Sequence, residues 1–216
     1  MRVMCSPEQA TFEQLLELMQ RRRSVRRFRP EPVPDGLLEK LLEAARSAPS
    51  AGNRQPYRIL VVRSPALMAR LAAAVRAESE RLVAAARPER AAELAEYLRF
   101  FDWFERAPLL LAPIYRSGGP APFEGALNRS PFDALSSTAA AIMSLLLAAP
   151  ALGLGACWMT GPLVAAAELR ALLAVPEGWE LAALVPLGYP AEQPPSPRRR
   201  ALGRLWQRVP PKGSEP

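Results

Sequence analysis

Arg21, Arg22, Arg23, Ser24, Arg26 and Arg27 put five guanidiniums and one hydroxyl within eight residues. Guanidiniums are permanent cations with planar, donor-only edges, and a hydroxyl adds a further donor. This composition suits a bound anion, a phosphate above all. A second set follows at 49–56, where Pro49, Ser50, Asn53 and Gln55 stand in a stretch of small and amide residues. Asn and Gln each carry a donor and an acceptor, which is what reads the edge of a heterocycle with alternating C=O and N–H groups, such as a pyrimidine ring. A third set runs from Gly153, Leu154 and Gly155 to Trp158, Met159, Thr160 and Gly161. Small residues near a strand end let a planar ligand lie on the backbone and meet its N–H groups. Arg198, Arg199 and Arg200 add a late basic triplet. Each set also has a plainer reading: a solvated basic face, a polar turn after a helix, a tight helix-to-strand turn and a solvated charge run.

The residues that are missing narrow the chemistry. The chain has no histidine, so the commonest general base and metal ligand are excluded. Its two cysteines, Cys5 and Cys157, form no CxxC pair. Neither a zinc site nor a disulfide scaffold is expected, and a reducing cytoplasm fits. The net charge of +7 is carried almost wholly by arginine, since Lys40 and Lys212 are the only lysines. Outside the two clusters the arginines are scattered, and no helix-turn-helix, zinc-finger or RNA-binding signature accompanies them, so nucleic acid is not the expected partner. Residues 1–9 lack an apolar core of the signal-peptide type. No charged residue occurs between Asp133 and Glu168, yet the helical part, about 135–149, contains Ser136, Ser137, Thr138 and Ser144 and falls short of the ~20 apolar residues of a span. A buried core helix is expected there, and no membrane partner.

The elements that must hold these sets can be read from periodicity and punctuation. A single domain over residues 1–216 is expected, with a core at about 12–200 and a tail at 201–216. Residues 12–20 read as an amphipathic helix capped by Thr11, with Gln14 as capping-box partner, so the arginine stretch follows a helix C-terminus. Leu37, Leu38, Leu41, Leu42 and Ala45 recur at helical spacing behind a cap at Asp35. Strands are expected at 59–62, 109–115, 156–159 and 182–187. Further helices are expected at 65–86, 89–104, 133–149 (stopping at Pro150) and 163–173. Tyr97, Phe100, Phe101, Trp103 and Phe104 read as core packing or an interface. The Gly/Pro-rich stretch 117–130 has the length of a lid or binding loop. Helices and strands alternate, which points to a sheet covered on both faces.

Taken in order, R-x-S-x-R at 22–26, P-S-x-x-N-x-Q-P at 49–56, G-L-G-x-x-W-x-x-G at 153–161, L-G-Y-P at 187–190 and R-x-R at 198–200 resemble the nitroreductase family of flavin enzymes. The resemblance spans about 15–200. It implies an α/β (α+β) fold: a three-layer sandwich whose central sheet, mixed but mainly antiparallel, is flanked by helices. It also implies an intertwined homodimer with FMN at the interface. Carried over by motif, Arg22, Arg23, Ser24 and Arg26 would hold the phosphate and flavin edge, with Arg198 and Arg200 approaching the phosphate. Pro49, Ser50, Asn53 and Gln55 would come from the partner subunit, and Trp158, Met159, Thr160 and Gly161 would lie beside the ring. The implied reaction is ping-pong. Hydride passes from NAD(P)H to the flavin, then a nitroaromatic, quinone or related small-molecule acceptor docks in the same place. No side-chain nucleophile, general base or metal is needed, and Arg22 or Arg26 is the candidate for stabilising an anionic reduced flavin. The chain departs from the better-known bacterial members at 79–102, which has no residue-by-residue match, and at Met159 and Thr160, where several relatives carry an acid. Cys157 reads as a small core residue. Flavin-fragmenting, dehalogenating and azoline-oxidising relatives keep the fold with another task. A non-enzymatic flavin-binding protein or a basic nucleic-acid-binding domain are the further alternatives.

Overall fold

A computed structural model describes residues 7–116 and 132–209 of the chain. The N-terminal half comprises α1 (Pro7–Arg21), α2 (Asp35–Arg46), β1 (Tyr57–Val62), α3 (Pro65–Ala85), α4 (Pro88–Leu98) and β2 (Leu109–Tyr115). After the 117–130 stretch, which lies outside the described residues, come α5 (Asp133–Ala151), β3 (Gly155–Ala156), α6 (Ala166–Leu172), β4 (Glu180–Leu181) and β5 (Val185–Gly188). The sheet runs β1-β2-β5-β3, with β4 also pairing to β2, and every pairing between these strands is antiparallel.

The layers follow from β2. Its six residues Leu109 to Ile114 are all buried, and successive side chains point to opposite faces. Leu109 and Leu111 join one core with Leu38, Leu41 and Ala45 of α2 and Ile142, Leu145 and Ala149 of α5. Leu110, Ala112 and Ile114 join the other with Met68, Leu71 and Val75 of α3 and Leu169 of α6. A strand apolar at every position therefore sits between two helical layers, and each fully buried Leu or Ile contributes about 1.5–3 kcal/mol of burial free energy. This is the expected three-layer α/β sandwich with an antiparallel sheet.

Several local expectations are corrected. Helix α1 starts at Pro7, a residue suited to a first helical turn, so Thr11 lies inside the helix and does not cap it. Pro34, not Asp35, occupies the cap position of α2, and the Asp35 carboxylate accepts from Arg63 instead, at 2.6 Å. Helix α5 does not stop at Pro150. It runs one residue further and closes with Gly153 N–H donating to Pro150 O and Leu154 N–H to Ala149 O. That two-bond cap needs a left-handed residue, and Gly153 supplies it at φ 72°. The expected strand at 156–159 is regular only at Gly155–Ala156, although Met159 still exchanges backbone bonds with Leu184. The expected strand at 182–187 is regular only from Val185, as β5, and the short β4 lies just before it at Glu180–Leu181.

By length and composition α5 is one helix among the described residues that could cross a membrane. Its Ala141, Ile142, Leu145, Leu146 and Ala149 instead form the core beside α2 and the sheet. Ser137, Thr138 and Ser144 satisfy their hydroxyls on carbonyls one turn back, so none needs a partner outside the helix.

Candidate active site

The arginine stretch leaves α1 and lies along the sheet edge. Val25 N–H donates to Ala156 O at 3.1 Å, and Ser24 bridges Ala156 in parallel. Val25 is buried against Gly155, where a Cβ would meet Val25 Cγ2 at 2.7 Å. Gly155 is small because the arginine stretch rests on it. Further along, Phe28 bridges Pro190 and stacks on Trp103 with ring centroids 6.4 Å apart. Arg29 N–H donates to Tyr189 O, Ala191 N–H to Arg27 O, and the Arg29 guanidinium lies over the Tyr189 ring. The L-G-Y-P segment is thus the rail that holds the arginines.

Two adjoining cavities open on this stretch. One, of about 280 Å³, is lined by Arg22, Arg23, Ser24, Arg26, Pro194, Pro197 and Arg199. The other, of about 400 Å³, shares Arg22 and Arg23 and reaches Leu146, Pro150 and Gly155 at the C-terminal end of α5. Arg23 Nη1 donates to Arg22 O at 3.2 Å, while its Nε–H is buried with no acceptor among the described residues. An unsatisfied guanidinium donor beside three further cations is what an anionic ligand relieves. The tail contributes to the cavity through Arg199; Arg198 and Arg200, the pair expected from sequence, flank it, and all three are exposed.

The 49–56 stretch is a strained loop fixed to the other end of α5. Gly52, Asn53 and Gln55 all have positive φ, at 59°, 52° and 48°. Two non-glycine residues in the left-handed region are costly and persist because the surroundings over-determine them. Ser50 Oγ accepts from Gln55 N–H at 3.0 Å, Ser137 Oγ accepts from Ala51 N–H at 3.1 Å, and Arg54 pairs with Asp133 at 3.6 Å. Pro49, Asn53 and Gln55 are exposed and Ser50 is half-buried. At 1.5 Å per residue, the α5 span from Ser137 to Pro150 is roughly 20 Å. A single copy therefore does not bring this loop to the arginine cavity.

At the third set, Met159 is buried while Trp158 and Thr160 face outward. Gly161 sits under Phe101, whose ring would lie 2.6 Å from an added Cβ. Cys157 is buried, and desolvation pushes its thiol above the ordinary thiol range, against the opposing pull of Arg26, Ser24 and Arg22. The thiol is neutral and behaves as a core residue next to the arginine stretch. Between α3 and α4 a further cavity of about 500 Å³ is floored by Val83, Ala95 and Leu98. It falls in the 79–102 region that sequence alone left unread. Sequence reasoning did not single out Glu192, and it read Arg199 only as the middle of the basic triplet. Glu192 stands two residues after L-G-Y-P and is the only acid near the basic stretch in that part of the chain, the one signal that could have singled it out.

A sequence profile of the nitroreductase family matches residues 19–189. The chain belongs to the nitroreductase family. It is 36% identical over 200 residues, 87% of this chain and 93% of the other, to a protein of Thermus thermophilus named NADH dehydrogenase. It is 34% identical over 206 residues, 93% of this chain and 94% of the other, to 5,6-dimethylbenzimidazole synthase of Rhodobacter capsulatus. Among solved structures, iodotyrosine deiodinase bound to FMN and 3-iodo-L-tyrosine superposes with a TM-score of 0.70 at 28% identity, covering 87% of this chain and 96% of that one. This nitroreductase-family chain is thus similar to proteins of differing tasks.

Proposed function

We propose that this protein is an FMN-dependent oxidoreductase, passing electrons from NAD(P)H to a small nitroaromatic, quinone or related acceptor in a ping-pong cycle. The observation that carries the reading is the convergence of Arg22, Arg23, Ser24, Arg26 and Arg199 on one cavity, with the Arg23 Nε–H buried and without an acceptor among the described residues. A flavin phosphate offers acceptor oxygens to that donor set. When bound, FMN supplies the hydride and electron chemistry. The chain's own residues bind and orient. Arg22, Arg23, Ser24 and Arg26 would hold the phosphate and flavin edge, joined by the tail arginines. Trp158 and Thr160, with the backbone at Met159 and Gly161, would line the ring. Positive charge from Arg22 or Arg26 favours the anionic reduced form.

The second half of the site would come from another copy of the chain. Pro49, Ser50, Asn53 and Gln55 of the partner subunit would meet the arginine cavity when two copies set their α5 helices antiparallel, which spans the roughly 20 Å between the half-sites. Large apolar residues exposed on α1 (Phe12, Leu15, Leu16, Met19), on α5 (Leu135, Met143) and on the tail (Leu202, Leu205, Trp206) support such a partner. The 34%-identical 5,6-dimethylbenzimidazole synthase favours one second reading, a flavin-fragmenting enzyme on the same site.

Purified protein loaded with FMN and titrated anaerobically with NADH and with NADPH tests the proposal. Bleaching of the oxidised-flavin absorbance, reversed by a quinone or nitroaromatic, is expected. Protein that cannot be loaded with FMN, or whose flavin neither nucleotide bleaches, would refute it. Loss of flavin with release of a benzimidazole during turnover would support the second reading.

A further inference from the structure

Glu192 lines the larger of the two adjoining cavities, beside Arg22 and Arg23, and charge alone opposes a carboxylate next to an anion site. Its bonds give the reason. Oε1 accepts from Arg26 N–H at 2.7 Å and from Arg27 N–H at 3.1 Å, and Oε2 stands 4.0 Å from Arg27 Nε. The side chain is 28% exposed, so these are partly shielded, charge-assisted bonds. They sit where a ladder ends. Phe28 faces Pro190 across an antiparallel bridge, Arg29 N–H donates to Tyr189 O, and Ala191 N–H to Arg27 O. Continued by one bond, the pattern would give the Arg27 N–H to the carbonyl of Ala191. The Glu192 side chain takes that N–H instead, and the Arg26 N–H too. Beyond it, Pro194, Pro195 and Pro197 have no N–H to extend the ladder. The chain turns away, and Arg199 arrives at the cavity formed by Arg22, Arg23, Ser24 and Arg26.

We infer that Glu192 is the positioning residue of the anion site. Its carboxylate staples the backbone of Arg26 and Arg27 so that Ser24 and Arg26 face the cavity, and it frees the tail to bring Arg199 opposite them. Glu192 acts through these neighbours and does not hold the phosphate itself. The inference rests on the FMN reading and names the device that assembles its phosphate end.

The test compares FMN with riboflavin, which has the same ring and no phosphate, by fluorescence titration of wild type, Glu192→Ala and Glu192→Gln. Loss of the staple in Glu192→Ala is expected to weaken FMN about tenfold or more and riboflavin by less than about threefold. Glu192→Gln keeps an amide oxygen for both N–H groups and is expected to hold FMN within about threefold of wild type. Glu192→Ala binding FMN as tightly as wild type overturns the inference. So does an equal loss of both flavins, which marks a general folding defect, and so does Glu192→Gln losing FMN as Ala does. If Glu192→Ala does not fold, the Gln variant still decides. Wild type that binds neither flavin refutes the FMN reading itself, an outcome distinct from all of these.

Discussion

Substituting Gly155 by Ala tests how the arginine stretch is seated. The new Cβ would lie 2.7 Å from Val25 Cγ2, 2.8 Å from Val25 Cβ and 3.0 Å from Val25 Cγ1. Carbon atoms prefer about 3.5–4.0 Å, so roughly 1 Å must be found. A rotamer change at Val25 cannot supply it, because Val25 Cβ is itself one of the close atoms. The backbone of residues 24–26 must move off β3, straining the bond from Val25 N–H to Ala156 O. Overpacking of this kind costs about 1–3 kcal/mol. At about 2–4 °C per kcal/mol for a chain of this size, the apparent melting temperature should fall by roughly 2–12 °C. Displacing Ser24 and Arg26 by such a distance should weaken FMN at least about tenfold. Differential scanning fluorimetry without ligand and a fluorescence titration with FMN read the two effects. Gly155→Ala combined with Val25→Ala, which removes two of the three close atoms, should bind FMN better than Gly155→Ala alone. Gly155→Ala that melts and binds FMN like wild type would refute this account of the seat.

Gly36 is the matching control: it lies in α2 with nothing within 4 Å of an added Cβ, so Gly36→Ala should leave FMN binding unchanged and raise stability by about 0.5–1 kcal/mol in a denaturant titration. Arg23→Ala should weaken FMN about tenfold while sparing riboflavin, and Arg26→Ala should also lower the flavin potential; an unchanged potential in FMN-loaded Arg26→Ala would remove its tuning role. Burial raises the thiol of Cys157 and the phenol of Tyr57, so the folded state holds both protons more tightly than the unfolded chain. Their contribution is present below the ordinary thiol and phenol ranges and is lost as pH rises through the raised values. Denaturation midpoints should therefore fall in alkali, and Cys157→Ala should flatten the first part of that fall; an identical alkaline slope would contradict it.

The layers were legible because burial writes itself into local pattern. An all-apolar run such as 109–112 has no exposed face, and the apolar length of α5 fits only a core or a comparable apolar setting. The end of α5 was not legible. Pro150 reads as a stop, but the one bond it lacks to the carbonyl four residues back does not prevent a last turn closed through Gly153, and a cap of that kind depends on one dihedral angle. The arginines and the 49–56 loop were visible as residue types, yet their roughly 20 Å separation emerges only once α5 is known to lie between them. Glu192 was invisible for a different reason. Its partners Arg26 and Arg27 lie 166 and 165 residues away, and a side-chain-to-backbone bond at that range leaves no periodicity to read. An irregular tail does not fix which of three neighbouring exposed arginines lines the cavity, and the structure puts Arg199 there.

The central claim is that one flavin site needs the arginine stretch of one copy and the 49–56 loop of another. Mixed dimers test it most directly. An Arg23→Ala/Arg26→Ala variant and an Asn53→Ala/Gln55→Ala variant should each bind little FMN alone. Unfolded and refolded together at equal amounts, half of the dimers would be mixed, each with one intact and one doubly impaired site, so about a quarter of the wild-type FMN sites should return. Recovery of that fraction is the predicted result. No recovery from a mixture shown to contain mixed dimers, or full FMN binding by the loop variant alone, would contradict a site built from two copies.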